Sequence, residues 1–286
     1  MLSTIVVPLD GSDFAAAALP TAVGLEAATG ARVQIIGIAR DDTELVWTYD
    51  HVHDFARRVP STTDSDVEII VDPDPAGVLL GRADQAGTAL CFASHDRMPV
   101  ATKVMHSVGS ELITKAKHPF LVVGAGVASA AVAADRDTRD VVVALDGVHD
   151  PEPLLATAIT WADLLHAPLR IVTVYEPVLP DLRRPSHFTR GHGPASDPDA
   201  YLDAIARDVQ QRHTPVLTMA IADPVGAASG LEQHLESHPA SLLVVGGPRR
   251  GAHVGPGTVR ELLRGAAVPL LVVNHQAEDD AKDAKE

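Results

Sequence analysis

Short β-branched apolar runs alternate along the chain with Ala- and Leu-rich stretches that carry polar residues on one side. An apolar run of strand length closed by a turn signal predicts a buried strand, and a longer amphipathic stretch predicts a helix. On this pattern the first half predicts strands at 5–9, 33–38, 67–71, 88–93 and 120–123. Helices are predicted at 14–29, 45–59, 77–85 and 107–116, with Ser12 or Asp13 as a first cap and Gly30 as a C-cap. The second half predicts strands at 141–145, 169–174, 216–220, 242–245 and 270–273. Its helices fall at 153–165, 199–212, 226–238 and 259–263. Strands alternating with helices imply a mainly parallel sheet covered on both faces.

The two halves repeat the same landmarks in the same order. Thr4-Ile5-Val6-Val7-Pro8-Leu9-Asp10-Gly11 returns as Asp140-Val141-Val142-Val143-Ala144-Leu145-Asp146-Gly147. Asp74-Pro75-Ala76-Gly77 returns as Asp223-Pro224-Val225-Gly226, and Ser107-Val108 returns as Thr258-Val259. Pro119-Phe120-Leu121-Val122-Val123 returns as Pro269-Leu270-Leu271-Val272-Val273. The period is too long for a solenoid, so each copy is a domain. The expected organisation is a first domain over 1–126, a linker over 127–138, a second domain over 139–275 and a disordered tail over 276–286. A loop over 176–198, rich in Pro, Gly, Arg and His, sets the second copy apart and reads as a surface excursion rather than a lid.

Composition narrows the partners. A net charge of −15 disfavours nucleic acid. The single cysteine, Cys91, rules out an intrachain disulfide, suits a reducing cytoplasm and reads as an inert core thiol. No basic-then-apolar leader opens the chain, and the weakly polar stretch 119–134 is too short for a membrane helix. His51-x-His53, with Asp50 and Asp54 nearby, reads as a solvated face rather than a metal site; segment 208–213 reads as helical surface.

In open α/β sheets ligands bind beyond the carboxyl ends of the strands, where the strand order switches. Three segments of each repeat converge there: Asp10-Gly11 and Asp146-Gly147; Ala93-Ser94-His95-Asp96 and Gly246-Gly247-Pro248-Arg249; and His106-Ser107-Val108 and Gly257-Thr258-Val259. A hydroxyl and unpaired N–H groups at a helix start suit a phosphate, and equally make an ordinary N-cap. Either aspartate also reads as a turn-former.

With these residues the chain resembles the universal stress protein (UspA-like) family in tandem form, from Thr4 to Val273. The resemblance implies two flavodoxin-like (adenine nucleotide alpha hydrolase-like) α/β domains, each with a mainly parallel five-stranded sheet between helices. It implies pairing of the domains through their last strands, a regulatory rather than catalytic stress-response role, and an adenine nucleotide, ATP or AMP, as cofactor. ATP-binding members share Gly-x-x-Gly, nine residues, then Gly-Ser/Thr. The first repeat keeps that spacing but places Ala93, Asp96 and His106 at the glycines, before Ser107. The second keeps Gly246, Gly257 and Thr258, places Arg249 at the second glycine and has seven intervening residues. Arg249 and Arg250 are cationic where Asp96 is anionic, so the second repeat is the favoured site. The resemblance further assigns Asp10 and Asp146 to the adenosine end and Ile38 and Val174 to the base pocket. Two other readings stay open: a nucleotide-free interaction scaffold with decayed sites, and an adenylyl-transferring enzyme whose second pocket lies under 176–198. A further homodimer is also open.

Overall fold

The computed structural model describes residues 2–57, 59, 66–94, 103–127, 139–177, 197–247 and 257–274. The first half runs β1 (Thr4–Leu9), α1 (Asp13–Ala16), α2 (Leu19–Thr29), β2 (Arg32–Ala39), α3 (Asp42–Ala56), β3 (Asp66–Val71), α4 (Pro75–Ala83), β4 (Thr88–Ala93), α5 (Lys103–Lys115) and β5 (Phe120–Val123). The second half runs β6 (Asp140–Leu145), α6 (Glu152–Leu165), β7 (Leu169–Tyr175), α7 (Pro198–Val209), β8 (Val216–Ala222), α8 (Ala227–Ser237), β9 (Ala240–Gly246), α9 (Gly257–Gly265) and β10 (Leu270–Val273).

Side-chain caps fix several of the helix starts. Ser12 accepts from Ala15 N–H, Asp41 from Thr43 and Glu44, Asp74 from Gly77 and Asp197 from Ala200. Gly30 closes α2 in the left-handed conformation, φ 72°. Three expectations change. The helix over 14–29 is split, because Pro20 has no N–H to continue α1 and instead sits in the first turn of α2. The helix expected from Ser107 begins at Lys103, since the preceding residues carry no helix breaker. Segment 208–213 is not all helical surface. The helix α7 ends at Val209, which is fully buried, and His213 turns inward to bond Asp163 at 2.7 Å.

Among the described residues the ten strands form one sheet in the order β3-β2-β1-β4-β5-β10-β9-β6-β7-β8. Every pairing within a half is parallel. The seam between halves is the antiparallel pair β5–β10, with Leu121 opposite Leu271. Pairing two otherwise open edges satisfies their backbone groups within the chain.

Side-chain alternation along the strands feeds two cores. Ile5, Val7, Leu121 and Leu271 pack under α1, α2, α3, α6 and α7 on one face. Val6, Val122, Leu270 and Val272 pack under α4, α5, α8 and α9 on the other. Both cores run across the seam without interruption. Backbone contact tightens the seam further: Ala125 N–H donates to Leu263 C=O at 3.0 Å. The Asn274 amide donates to the carbonyls of Ile113 at 3.0 Å and Ala116 at 2.8 Å. Cys91 is fully buried and its thiol is pushed up to about 12 by desolvation, which makes it an inert core side chain.

Candidate nucleotide site at the strand ends

In each half the chain leaves the central strand toward one face and the next strand inward toward the other. β1 leads to α1 and β4 to α5; β6 leads to α6 and β9 to α9. The crevices between β1 and β4, and between β6 and β9, are therefore the switch points at which a ligand can lie.

Both Asp-Gly turns sit at these switch points, and both aspartates form the turn itself. Gly11 and Gly147 hold φ 78° and 67°, a conformation that glycine adopts without strain. Asp10 Oδ1 accepts from Ser12 N–H at 3.0 Å and from the Ser12 hydroxyl at 2.5 Å, and Ser12 in turn caps α1. Asp146 Oδ1 accepts from Val148 N–H at 3.0 Å and His149 N–H at 3.1 Å, while Oδ2 takes the His149 ring Nδ1. Burial raises the Asp146 pKa, but these bonds outweigh it and hold the carboxyl below its ordinary range. Asp146 is therefore an anion at neutral pH whose side chain remains 47% exposed.

Different aromatic residues accompany the two turns. In the first domain Trp47 stacks on His51, with centroids 4.1 Å apart, and lies over the turn. A Cβ added at Gly11 would stand 2.8 Å from both the Trp47 indole and His51 Cβ. His51 and His53 are each tied through Nδ1 to a backbone carbonyl one turn back, at 2.8 Å, and His53 stacks on Tyr49. Among the described residues no group of His, Cys, Asp and Glu could hold a metal. In the second domain Tyr201, at the start of α7, lies within electrostatic reach of Asp146.

The remaining residues divide between site and core. Gly246 and Gly247 end β9, and Gly257 and Thr258 open α9, so three of the expected segments of the second domain meet at the β6/β9 switch. Thr258 is half-buried there. Gly247 has a packing reason of its own, because a Cβ would strike the Asn274 side chain. Val108 and Val259 are core residues at 5% and 8% exposure. Val174 packs against Gly230 of α8, and Ile38 packs into the same core. Ser107 is not at a helix start: it lies one turn inside α5, where the helical ladder already occupies its N–H. Arg249, Asp96 and the loop over 178–196 lie outside the described residues. His149, Tyr201 and Trp47 were not singled out by sequence reasoning. Only His149 carried a local signal, three residues after Asp146 in a turn.

Residues 138–274 match the universal stress protein family. No curated protein matches the chain. Among solved structures, a universal stress protein from Archaeoglobus fulgidus DSM 4304 is similar at 14% identity and a TM-score of 0.62, over 96% of this chain and 98% of that one. A functionally unknown protein from Pseudomonas aeruginosa PAO1 is similar at 14% identity and a TM-score of 0.54, over 100% and 98%. The cytoplasmic domain of a prokaryotic cation chloride cotransporter is similar at 14% identity and a TM-score of 0.50, over 95% of each chain. At such identities the likeness is one of fold, and the cotransporter domain shows that this fold serves more than one context. No helix among the described residues is long and apolar enough to cross a membrane. The second half of the chain belongs to the universal stress protein family, and the first half repeats its α/β fold in tandem.

Proposed function

We propose that the chain is a regulatory stress-response protein whose second domain binds an adenine nucleotide, ATP or AMP, and whose occupancy biases association with partner proteins. One observation carries this reading. Asp146, the Gly246-Gly247 strand end and the Gly257-Thr258 start of α9 converge at the β6/β9 switch. The sequence joining the last two segments supplies Arg249 and Arg250. A helix N-terminus favours an anion, guanidinium groups in the joining sequence add positive charge, and backbone amides at glycine can approach an anion closely. The role is binding rather than turnover. A cytoplasmic setting suits the single buried thiol.

The first domain serves as a nucleotide-free partner in this reading. Its phosphate segment carries Asp96 where the second carries Arg249, Ser107 lies inside α5, and Trp47 covers Gly11. Thermal unfolding with and without ATP tests the assignment. A ligand at about 100 times its Kd adds roughly 2.7 kcal/mol of stability. ATP should raise the Tm of the wild type and of Ser107→Ala, and leave that of Arg249→Ala/Thr258→Ala unchanged. A wild type that millimolar ATP does not stabilise would leave the scaffold reading in its place.

A further inference from the structure

The two outer strands, β3 and β8, end the sheet differently. Leu169 N–H donates to Pro215 C=O at 3.1 Å, and Asp223 N–H donates to Tyr175 C=O at 3.0 Å. The residues flanking β8 therefore turn their backbone groups toward β7. Backbone direction alternates along a strand, so the groups of Leu217, Met219 and Ile221 also face β7. Those of Val216, Thr218, Ala220 and Ala222 point outward, and among the described residues no strand pairs with them. No charged residue guards β8, and such an edge is a template for another strand.

A cleft of about 550 Å³ lies beside this edge, between β8 and α8. Met219 and Ile221 give it an apolar wall. Gly230 brings α8 close to the sheet, since a Cβ there would stand 2.9 Å from Val174 Cγ1. The lining holds one carboxylate, the exposed Glu236, and neither Lys nor Arg. His234 also lines it, buried and with Nε2 unpartnered among the described residues. Burial first, then His238 and Arg170, lower its pKa to about 4, so it adds no positive charge at neutral pH. The first domain fills the equivalent place. Glu68 stands on β3 where Met219 stands on β8; it takes Arg82 of α4 and accepts from Gln34 Nε2 at 3.0 Å.

An extended segment answers both features. Its main chain pairs with the outward row, and every second side chain projects over the cleft. The side chain that suits an apolar wall with a carboxylate at its mouth is lysine or arginine. The aliphatic stem packs on Met219 and Ile221, and the cation meets Glu236. A second copy of β8 brings only Val, Leu, Thr, Met, Ala and Ile, on a chain whose net charge is also −15. We propose that the β8 edge takes an extended cationic segment of a partner protein as an eleventh strand, with a basic side chain in the β8/α8 cleft. This surface stands whether or not the second domain binds a nucleotide.

Fluorescence anisotropy of a labelled heptapeptide of alternating Lys and Val, as long as the seven residues of β8, tests it on the full chain at low ionic strength. The peptide should bind saturably, and an alternating Glu and Val peptide about tenfold more weakly. N-methylation of every peptide amide should abolish binding. Thr218→Pro removes an outward N–H and spares the β7 ladder, which proline can do at a sheet edge. It should weaken the Lys peptide about tenfold and leave the Tm near that of the wild type. Glu236→Gln should weaken it about threefold. Where Thr218→Pro lowers the Tm, the N-methylated peptide decides, because it leaves the protein unaltered. No binding of the Lys peptide would overturn the proposal. So would equal binding of its N-methylated form, which would mark attraction between charges alone. A dimer in sedimentation that Thr218→Pro abolishes would assign the edge to a second copy and overturn it as well.

Discussion

At the end of β1 the Asp10 carboxylate folds onto Ser12 and an indole closes over Gly11; at the end of β6 the Asp146 carboxylate folds onto Val148 and His149, with the His149 ring on its second oxygen. The backbone solution is shared: an Asx turn, then a glycine at positive φ. The side chains brought to it differ. In the first domain both bonds fall on Asp10 Oδ1 and serve the turn, Ser12 caps the helix, and an indole packs over Gly11. In the second domain both Asp146 oxygens are bonded, the second by the His149 ring, and the side chain remains 47% exposed.

The same contrast extends to the opposite ends of the strands, where it can be broken by mutation. Thr4 and Gln34 of the first domain correspond to Asp140 and Arg170 of the second. Arg170 Nε donates to Asp140 Oδ2 at 2.6 Å, with the two side chains only 16% and 10% exposed. Removing one partner strands a buried charge. Arg170→Met should cost about 3–5 kcal/mol in urea unfolding, whereas Gln34→Met should cost less than about 1 kcal/mol. Equal costs would mean that the ion pair is solvated.

A pH dependence of similar size follows from His234, which is 5% exposed. Burial, then the neighbouring His238 and Arg170, lower its pKa from 6.5 to about 4, against a small opposing effect of Asp140. The folded state thus binds fewer protons than the unfolded state between these values, so stability rises with pH there. Acidification from about pH 6.5 to 4 should remove on the order of 3 kcal/mol, and His234→Gln should flatten that part of the profile. An unchanged slope in the variant would assign it to other groups.

Two glycine substitutions sharpen the comparison between seam and surface. A Cβ at Gly124 would strike the Leu263 carbonyl across the seam, so Gly124→Ala should destabilise by about 1–3 kcal/mol. Gly81 of α4 has nothing within 4 Å of a Cβ, so Gly81→Ala should stabilise by about 0.5–1 kcal/mol. Differential scanning calorimetry should show opposite Tm shifts, and a single shared transition in both variants because the two cores cross the seam. Two separated transitions would contradict that continuity.

The strands were legible in the sequence because runs such as Ile5–Leu9 and Phe120–Val123 are buried on both faces and so are apolar throughout. The repeat made the tandem arrangement legible, since Asp-Gly and Asp-Pro turns need fixed residue types. Helix ends were less so. Ser107 looked like a cap, but Lys103 to His106 are compatible with helix and the element starts earlier. His213 looked solvated until a turn after Val209 carried it to Asp163, fifty residues away in sequence. The placement of Trp47 over Gly11 and of Tyr201 near Asp146 depends on how α3 and α7 are rotated on the sheet. Periodicity gives the face of a helix but not which side chain reaches a distant turn.

The central claim is that one domain of the pair binds a nucleotide, and the stoichiometry of calorimetric ATP titration tests it most directly. The account predicts one ATP per chain, lost in Arg249→Ala/Thr258→Ala and kept in Ser107→Ala. Two per chain, or one that survives the second-domain variant and disappears with Ser107→Ala, would contradict it.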